Sequence, residues 1–216
     1  MLVSSDQIIT ALVETVQMVA FSLVFSAILG LPLGIFLVVT RKGHILENIP
    51  FFSILSGIIN IFRSVPFIIL LVAIIPVTRL IVGTSIGTAA AIVPLVFYAG
   101  PYIARLVENS LLEVDPGVIE AAEAMGATPW QIITKFLVPE ALGSLVLSLT
   151  IATIGLVGAT AMAGTVGGGG IGDLAITYGY QRFDTITMII TVVILIVIVQ
   201  GLQSLGNILA KKLRRR

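Results

Sequence analysis

Few side chains in this sequence are equipped for covalent or acid–base chemistry, which already excludes whole classes of function. There is no cysteine, so neither a disulfide framework nor a thiolate nucleophile or thiolate metal site is possible. The one histidine, His44, sits in a short basic loop beside Arg41 and Lys42, the setting of a loop residue rather than of a general base. No G-x-x-x-x-G-K-[ST] occurs, so the chain has no phosphate-cradling loop of its own. The acidic residues Glu108, Glu113, Asp115, Glu120 and Glu123 gather in one stretch, where a solvated face is the simplest expectation. No residues are therefore assigned as catalytic or metal-binding, and no nucleic-acid partner is expected.

Three features remain to be explained. Arg63 lies some way into an apolar run, in the sequence Asn60-Ile61-Phe62-Arg63-Ser64-Val65-Pro66. An arginine at membrane depth is costly and faces protein or water. Pro66 frees a backbone carbonyl one turn earlier, and Asn60, Arg63 or Ser64 can satisfy groups freed in such a broken region. Arg63 then either lines a route through the protein and fixes its inner end, or snorkels to the headgroups along its own stem. The second feature is the run Gly167–Gly170, preceded by Gly155, Gly158 and Gly164 and followed by Gly172. Small residues let helix backbones approach closely in lipid. Met162 is the large side chain between these glycines, and its adaptable thioether suits either a soft external gate on a symmetry axis or ordinary interhelical packing. Thr165-Val166-Gly167 also has the start of a potassium-filter strip, but Gly168 stands where that strip needs tyrosine.

The third feature is the mostly polar segment 115–139. Asp115 reads as an N-cap with Pro116 at the first helical position. Gly126 is placed to end that helix in the left-handed conformation. Thr128, Pro129 and Gln131 spell a second start with a capping box. Pro139 is expected to close the second helix, because its ring disfavours helical geometry at Val138.

The elements that must hold these residues are membrane spans. The chain is 57% hydrophobic and 11% charged, and several apolar runs exceed the ~18 residues that cross a bilayer. Its fold class is all-α, polytopic, with five spans expected at about Ile8–Thr40, Phe51–Val77, Ile86–Val107, Ala141–Ala163 and Ile186–Ala210. Gly30, Pro32 and Gly34 suggest a bend in the first. No cleavable leader is expected, since the first residues lack a basic stretch and Asp6 is the first charge. Arg41, Lys42, Arg105, Lys135, Lys211, Lys212, Arg214, Arg215 and Arg216 fall on one side, and Arg79 and Arg182 on the other. That asymmetry places the N-terminus outside and the C-terminus, with the Glu120 segment, in the cytoplasm.

Within that segment, Glu120-Ala121-Ala122, then Gly126, then Pro139 resemble the "EAA loop" of ABC-importer permeases, whose pattern is Glu-Ala-Ala-x3-Gly-x9-Ile-x-Leu-Pro. The sequence departs from it at Phe136 and Val138, both apolar replacements. The stretch Asn60–Leu71, with Ile75-Pro76-Val77-Thr78-Arg79 and Gly83-Thr84-Ser85-Ile86-Gly87, resembles the methionine branch of that family. Together the likeness covers most of residues 57–172. It implies a type I importer fold over 1–216 as a single permease domain, with a coupling loop at about 108–140 in which Glu120, Ala121, Ala122, Gly126 and Pro139 dock on a separate ATPase. It further implies two such ATPase subunits, which bind the ATP and Mg, an extracytoplasmic substrate-binding protein, a homodimer in a prokaryotic cell membrane, and import of methionine by alternating access. Another amino acid or small amphiphile, an ion channel, and a membrane scaffold are the alternatives.

Overall fold

Long apolar stretches became helices, and their ends are set by local chemistry. The computed structural model describes residues 2–213, and every regular element in them is helical. Helix α1 spans Ser5–Val39 and starts from a capping box in which Ser4 and Gln7 exchange side-chain and backbone hydrogen bonds. It is followed by α2 (Ile49–Ser64), α3 (Phe67–Ala73), α4 (Ile75–Val82) and α5 (Thr88–Leu112). Short helices α6 (Pro116–Ala124) and α7 (Pro129–Gln131) lead through a π-helical stretch, Ile132–Leu137, into α8 (Val138–Glu140) and α9 (Leu142–Gly164). Helix α10 (Gly170–Leu174), a second π-helical stretch (Ala175–Tyr180) and α11 (Thr185–Leu213) complete the chain.

Four helices, α1, α5, α9 and α11, are long and apolar enough to cross a membrane. The expected span Phe51–Val77 is not one helix: α2 and α3 meet at 99°. Pro66 is the cause, because Val65 before it is forced to an extended conformation, φ −83° and ψ 123°. Counting the bent pair as one crossing gives five. Arg214, Arg215 and Arg216, which weighed in the charge asymmetry, lie outside the described residues.

The central contact is α1 against α5. Ser22, Ser26, Gly30 and Gly34 recur every four residues on α1 and all are buried. A methyl group on Gly30 would stand 2.7 Å from Ile103 Cγ2 and one on Gly34 2.6 Å from Val107 Cβ, so the two helices touch backbone to side chain. Helix α1 runs without interruption through Pro32, and Gly30 and Gly34 also belong to a packing stripe. In lipid, where apolar side chains gain nothing by leaving water, such close contact is what holds helices together.

Two apolar cores lie along this seam. One contains Met18, Leu95, Ala99 and Leu156; the other gathers Val38, Val39, Ile103, Val107 and Leu111 with Ile133, Leu137 and Leu145. Thr15 and Val39 are 24 residues apart on α1, about 36 Å. The 115–139 segment packs beside Val39, while the glycine loop after α9 bonds to Thr15, so the two occupy opposite ends of the bundle. Replacement of Gly34 by leucine should destabilise the protein by about 1–3 kcal/mol, read as a lowered Tm in detergent. Gly57→Leu, where a side chain meets open space, serves as the control and should leave Tm within the scatter of the parent.

Candidate coupling and gate sites

The 115–139 segment is built as its sequence specifies up to its last turn. The Asp115 carboxylate accepts from Gly117 N–H at 2.8 Å, and Pro116 opens α6. Gly126 takes φ +77°, and the helix closes with two backbone bonds, Gly126 N–H to Glu123 O at 2.9 Å and Ala127 N–H to Ala122 O at 3.0 Å. Both lone carbonyls of the last turn are thereby satisfied. Thr128 and Gln131 form the capping box, with Thr128 N–H donating to Gln131 Oε1 at 2.9 Å.

Pro139 does not end the second helix. Val138 keeps helical geometry, φ −67° and ψ −45°, and donates its N–H to Ile133 O, five residues back. The wider π turn moves carbonyls off the path of the proline ring, so the chain stays helical where an α-helix would clash. Burial of Ile132, Ile133 and Leu137 under α1 and α5 holds that geometry.

Glu120, Ala121 and Gly126 are exposed, whereas Ala122 is completely buried. Ala122 therefore serves packing inside the chain rather than an outside partner. Sequence reasoning passed over the two largest exposed groups here, Met125 at 70% and Trp130 at 72% exposure, which flank the Gly126 turn. A cavity of about 320 Å³ lies behind the turn, lined by Ile119, Glu120, Glu123, His44, Ile45 and Val39 among others. Burial, and then the Arg41 guanidinium, draw the His44 imidazole below its usual range.

The acidic cluster is not uniformly solvated, contrary to expectation. Glu108 is only 3% exposed and bonds to Arg105, with Arg41 Nη1 at 3.9 Å from its other oxygen. Arg105 also donates to Ser56 Oγ at 2.6 Å and to Asn60 Oδ1 at 3.0 Å, so one guanidinium ties α2 to α5. The sequence signal was present in the i, i+3 spacing of Arg105 and Glu108. Asn60 is thus a partner of Arg105, and Ser64 Oγ donates to Asn60 O at 2.8 Å. Arg63 is exposed and makes no ion pair among the described residues. Pro66 sits at the break between α2 and α3.

At the opposite end Met162 is 41% exposed on the surface of the chain, one residue before the buried Ala163 and Gly164. Gly167, Gly169 and Gly170 all have positive φ, and the loop they form is bonded to Glu14 and Thr15 of α1. Glu14 was the other residue missed, although a carboxylate within an apolar run is a signal in itself.

Four to five spans, a polar capped turn held on the core at one end and a glycine loop at the other define a transport subunit. The comparison with known families agrees: residues 30–215 match the binding-protein-dependent transport system inner membrane component, and the chain belongs to that family. It is 54% identical over 213 residues to the probable D-methionine transport system permease protein MetI of Vibrio cholerae, covering 99% of this chain and 95% of that one. Its identity to the D-methionine transport system permease protein MetI of Escherichia coli K12 is 58% over 151 residues, 70% of each chain. Among solved structures it matches a chain of the MetNI methionine ABC transporter in an inward-facing conformation, with TM-score 0.95, 48% identity and coverage of 98% and 99%. An amino acid ABC transporter crystallised with histidines shares the fold at TM-score 0.79 and 19% identity, covering 96% of this chain and 94% of that one. The family leaves no place for the channel or scaffold readings.

Removing the half-buried Arg105, whose partner Glu108 is fully buried, should be more damaging than its position near a helix end suggests. Arg105→Leu strands Glu108 with a distant partner, and is expected to cost about 3–5 kcal/mol. The double variant Arg105→Leu/Glu108→Leu should recover most of that loss. Thermal unfolding of the four members of the cycle in detergent measures both.

Proposed function

We propose that this chain is the permease subunit of an ATP-driven methionine importer in the cytoplasmic membrane of a prokaryote. The observation that carries the coupling half of this reading is the Gly126 turn: closed by four local devices, backed by the buried Ile132, Ile133 and Leu137, and presenting Met125 and Trp130 outward. Large exposed side chains on a rigid polar turn suit a protein partner, and tryptophan is enriched among residues that carry such interfaces. The partner is the ATPase, which binds the nucleotide and its Mg; this chain performs no hydrolysis. Identity above 50% to permeases named for D-methionine supports the substrate.

Two copies pair about a two-fold axis, each with one ATPase docked at its Glu120–Pro139 segment, and an external binding protein delivers the substrate. The N-terminus and the glycine loop face outside, and the 115–139 segment faces the cytoplasm. ATP closes the ATPase pair, the two coupling segments approach, and the spans pass from inward- to outward-open. That is a population shift, driven by the difference in affinity of the nucleotide for the two arrangements. Glu120 supplies polar docking contacts and Ala121 leaves room for the groove wall. Met162, exposed on one copy, meets its symmetry mate as the outer gate. Arg63, exposed about halfway along the crossing, lines the passage, with Asn60, Ser64 and Pro66 fixing its approach.

Uptake of labelled methionine tests the whole reading, in cells lacking their own methionine transport and supplied with the cognate ATPase and binding protein. Uptake that needs ATP hydrolysis and is competed by methionine alone is the expected result; assembly and hydrolysis without methionine uptake would discard the substrate and keep the class. Gly126→Glu tests the coupling turn. A side chain at φ +77° costs about 1–2 kcal/mol locally, and the added charge blocks the groove, while the space around the position leaves the bundle undisturbed. Uptake should fall to background with expression and assembly preserved and Tm lowered by no more than that local cost.

A further inference from the structure

A carboxylic side chain in the third turn of α1 has no role in the scheme above. Glu14 stands among Ala11, Leu12, Val13, Thr15 and Val16, and makes no ion pair with a lysine or arginine among the described residues. Its carboxylate instead accepts from the backbone N–H of Gly170 at 2.7 Å. It also lies where a side chain on Gly169 would be, 2.6 Å from that position. Beside it, Thr15 Oγ1 accepts from Ile171 N–H at 2.9 Å while donating to Ala11 O at 2.9 Å. The loop has two other fixed points. Gly167 O accepts from Gly87 N–H at 2.8 Å, at the start of α5, and Gly168 N–H donates to Ala163 O at 3.1 Å, at the end of α9. Met162 lies directly ahead of this loop.

We propose that Glu14 is a positioning residue that fastens the glycine loop to α1, so that Met162 moves with α1 and α5 instead of swinging on a free hinge. Four consecutive glycines would otherwise form the most pliable backbone in the chain. The bond from Gly170 N–H to the Glu14 carboxylate is part-buried, and a charge-assisted bond of this kind is about twice as strong as its neutral counterpart. Glycine is also required at 169 and 170 for a second reason, because any larger residue would occupy the space of the Glu14 carboxylate and of Thr15 and Met18. The α1–α5 seam then carries the displacement of the bundle to the gate.

This inference rests on the importer reading and on Met162 as gate, and its test separates the two. The complete complex with ATPase and binding protein is reconstituted in vesicles, and methionine taken up per ATP hydrolysed is measured. Wild type without uptake, yet with ATP hydrolysis stimulated by the binding protein, would count against the substrate alone. With wild-type uptake in hand, Glu14→Leu should lower the uptake-to-hydrolysis ratio about three- to thirtyfold, the range of mutations that alter coupling without touching ligand. Glu14→Gln, which keeps an acceptor oxygen at the same reach, should restore the ratio to within about twofold of wild type. Glu14→Asp, one methylene short, should fall well below Glu14→Gln. A Leu variant that loses assembled complex and Tm but keeps a normal ratio would overturn the proposal, as a merely structural role predicts that pattern. Should Glu14→Leu fail to assemble, the Asp and Gln variants decide, and equal ratios for them would equally overturn it.

Discussion

The small-residue seam between α1 and α5 is the contact on which the rest depends. Ser22, Ser26, Gly30 and Gly34 place the α1 backbone against Ile103 and Val107, a distance at which no larger side chain fits. Lipid offers no gain for burying leucine, so dispersion over a close seam must supply the attraction. Once that seam is set, both ends of the bundle are set with it. At one end Val38 and Val39 meet Ile133 and Leu137 beneath the polar turn; at the other Glu14 and Thr15 meet the glycine loop. The two sites are built from opposite ends of one helix pair.

Charge inside this bundle follows the same economy of partners. Arg105 satisfies Glu108, Ser56 and Asn60 at once, so α2 is anchored to α5 by a group that lipid would not accept alone. Arg41 is a weaker second partner at 3.9 Å, its side chain 45% exposed. Arg63 contrasts with both. It is exposed on the single chain and makes no ion pair among the described residues.

How much of this was legible in the sequence depended on whether the cause was local. The Asp115, Gly126 and Thr128–Gln131 devices each act within five residues, and they folded as read. The four long spans were equally clear, because length and hydropathy decide them. Pro66 is legible as a disruption, and the extended Val65 before it turns the chain by 99° between α2 and α3. Pro139 was misread for a related reason. Its own preference is to stop an α-helix, but the buried Ile132, Ile133 and Leu137 favour a continuous helical path, and a π turn reconciles the two. The packing role of Gly30 and Gly34 emerges only when Ser22 and Ser26 are added at the same four-residue spacing. Glu108, expected on a solvated face with its acidic neighbours, is instead buried beside Arg105, whose own partner Ser56 on α2 lies 49 residues away in sequence.

The π stretch has a further consequence for the polar turn. An α-helix ending at Pro139 would leave α7 joined to α9 by a flexible link, and the turn would hang free. Continuity from Thr128 through Ala141 instead makes the turn an extension of α9, with Ala141 and Leu145 in the same buried cluster as Ile133 and Leu137. Because α9 ends at Gly164, next to Met162 and the loop that Glu14 holds, the turn at Ala141 is the one interruption of the helical path from the exposed Trp130 to the opposite end of the bundle.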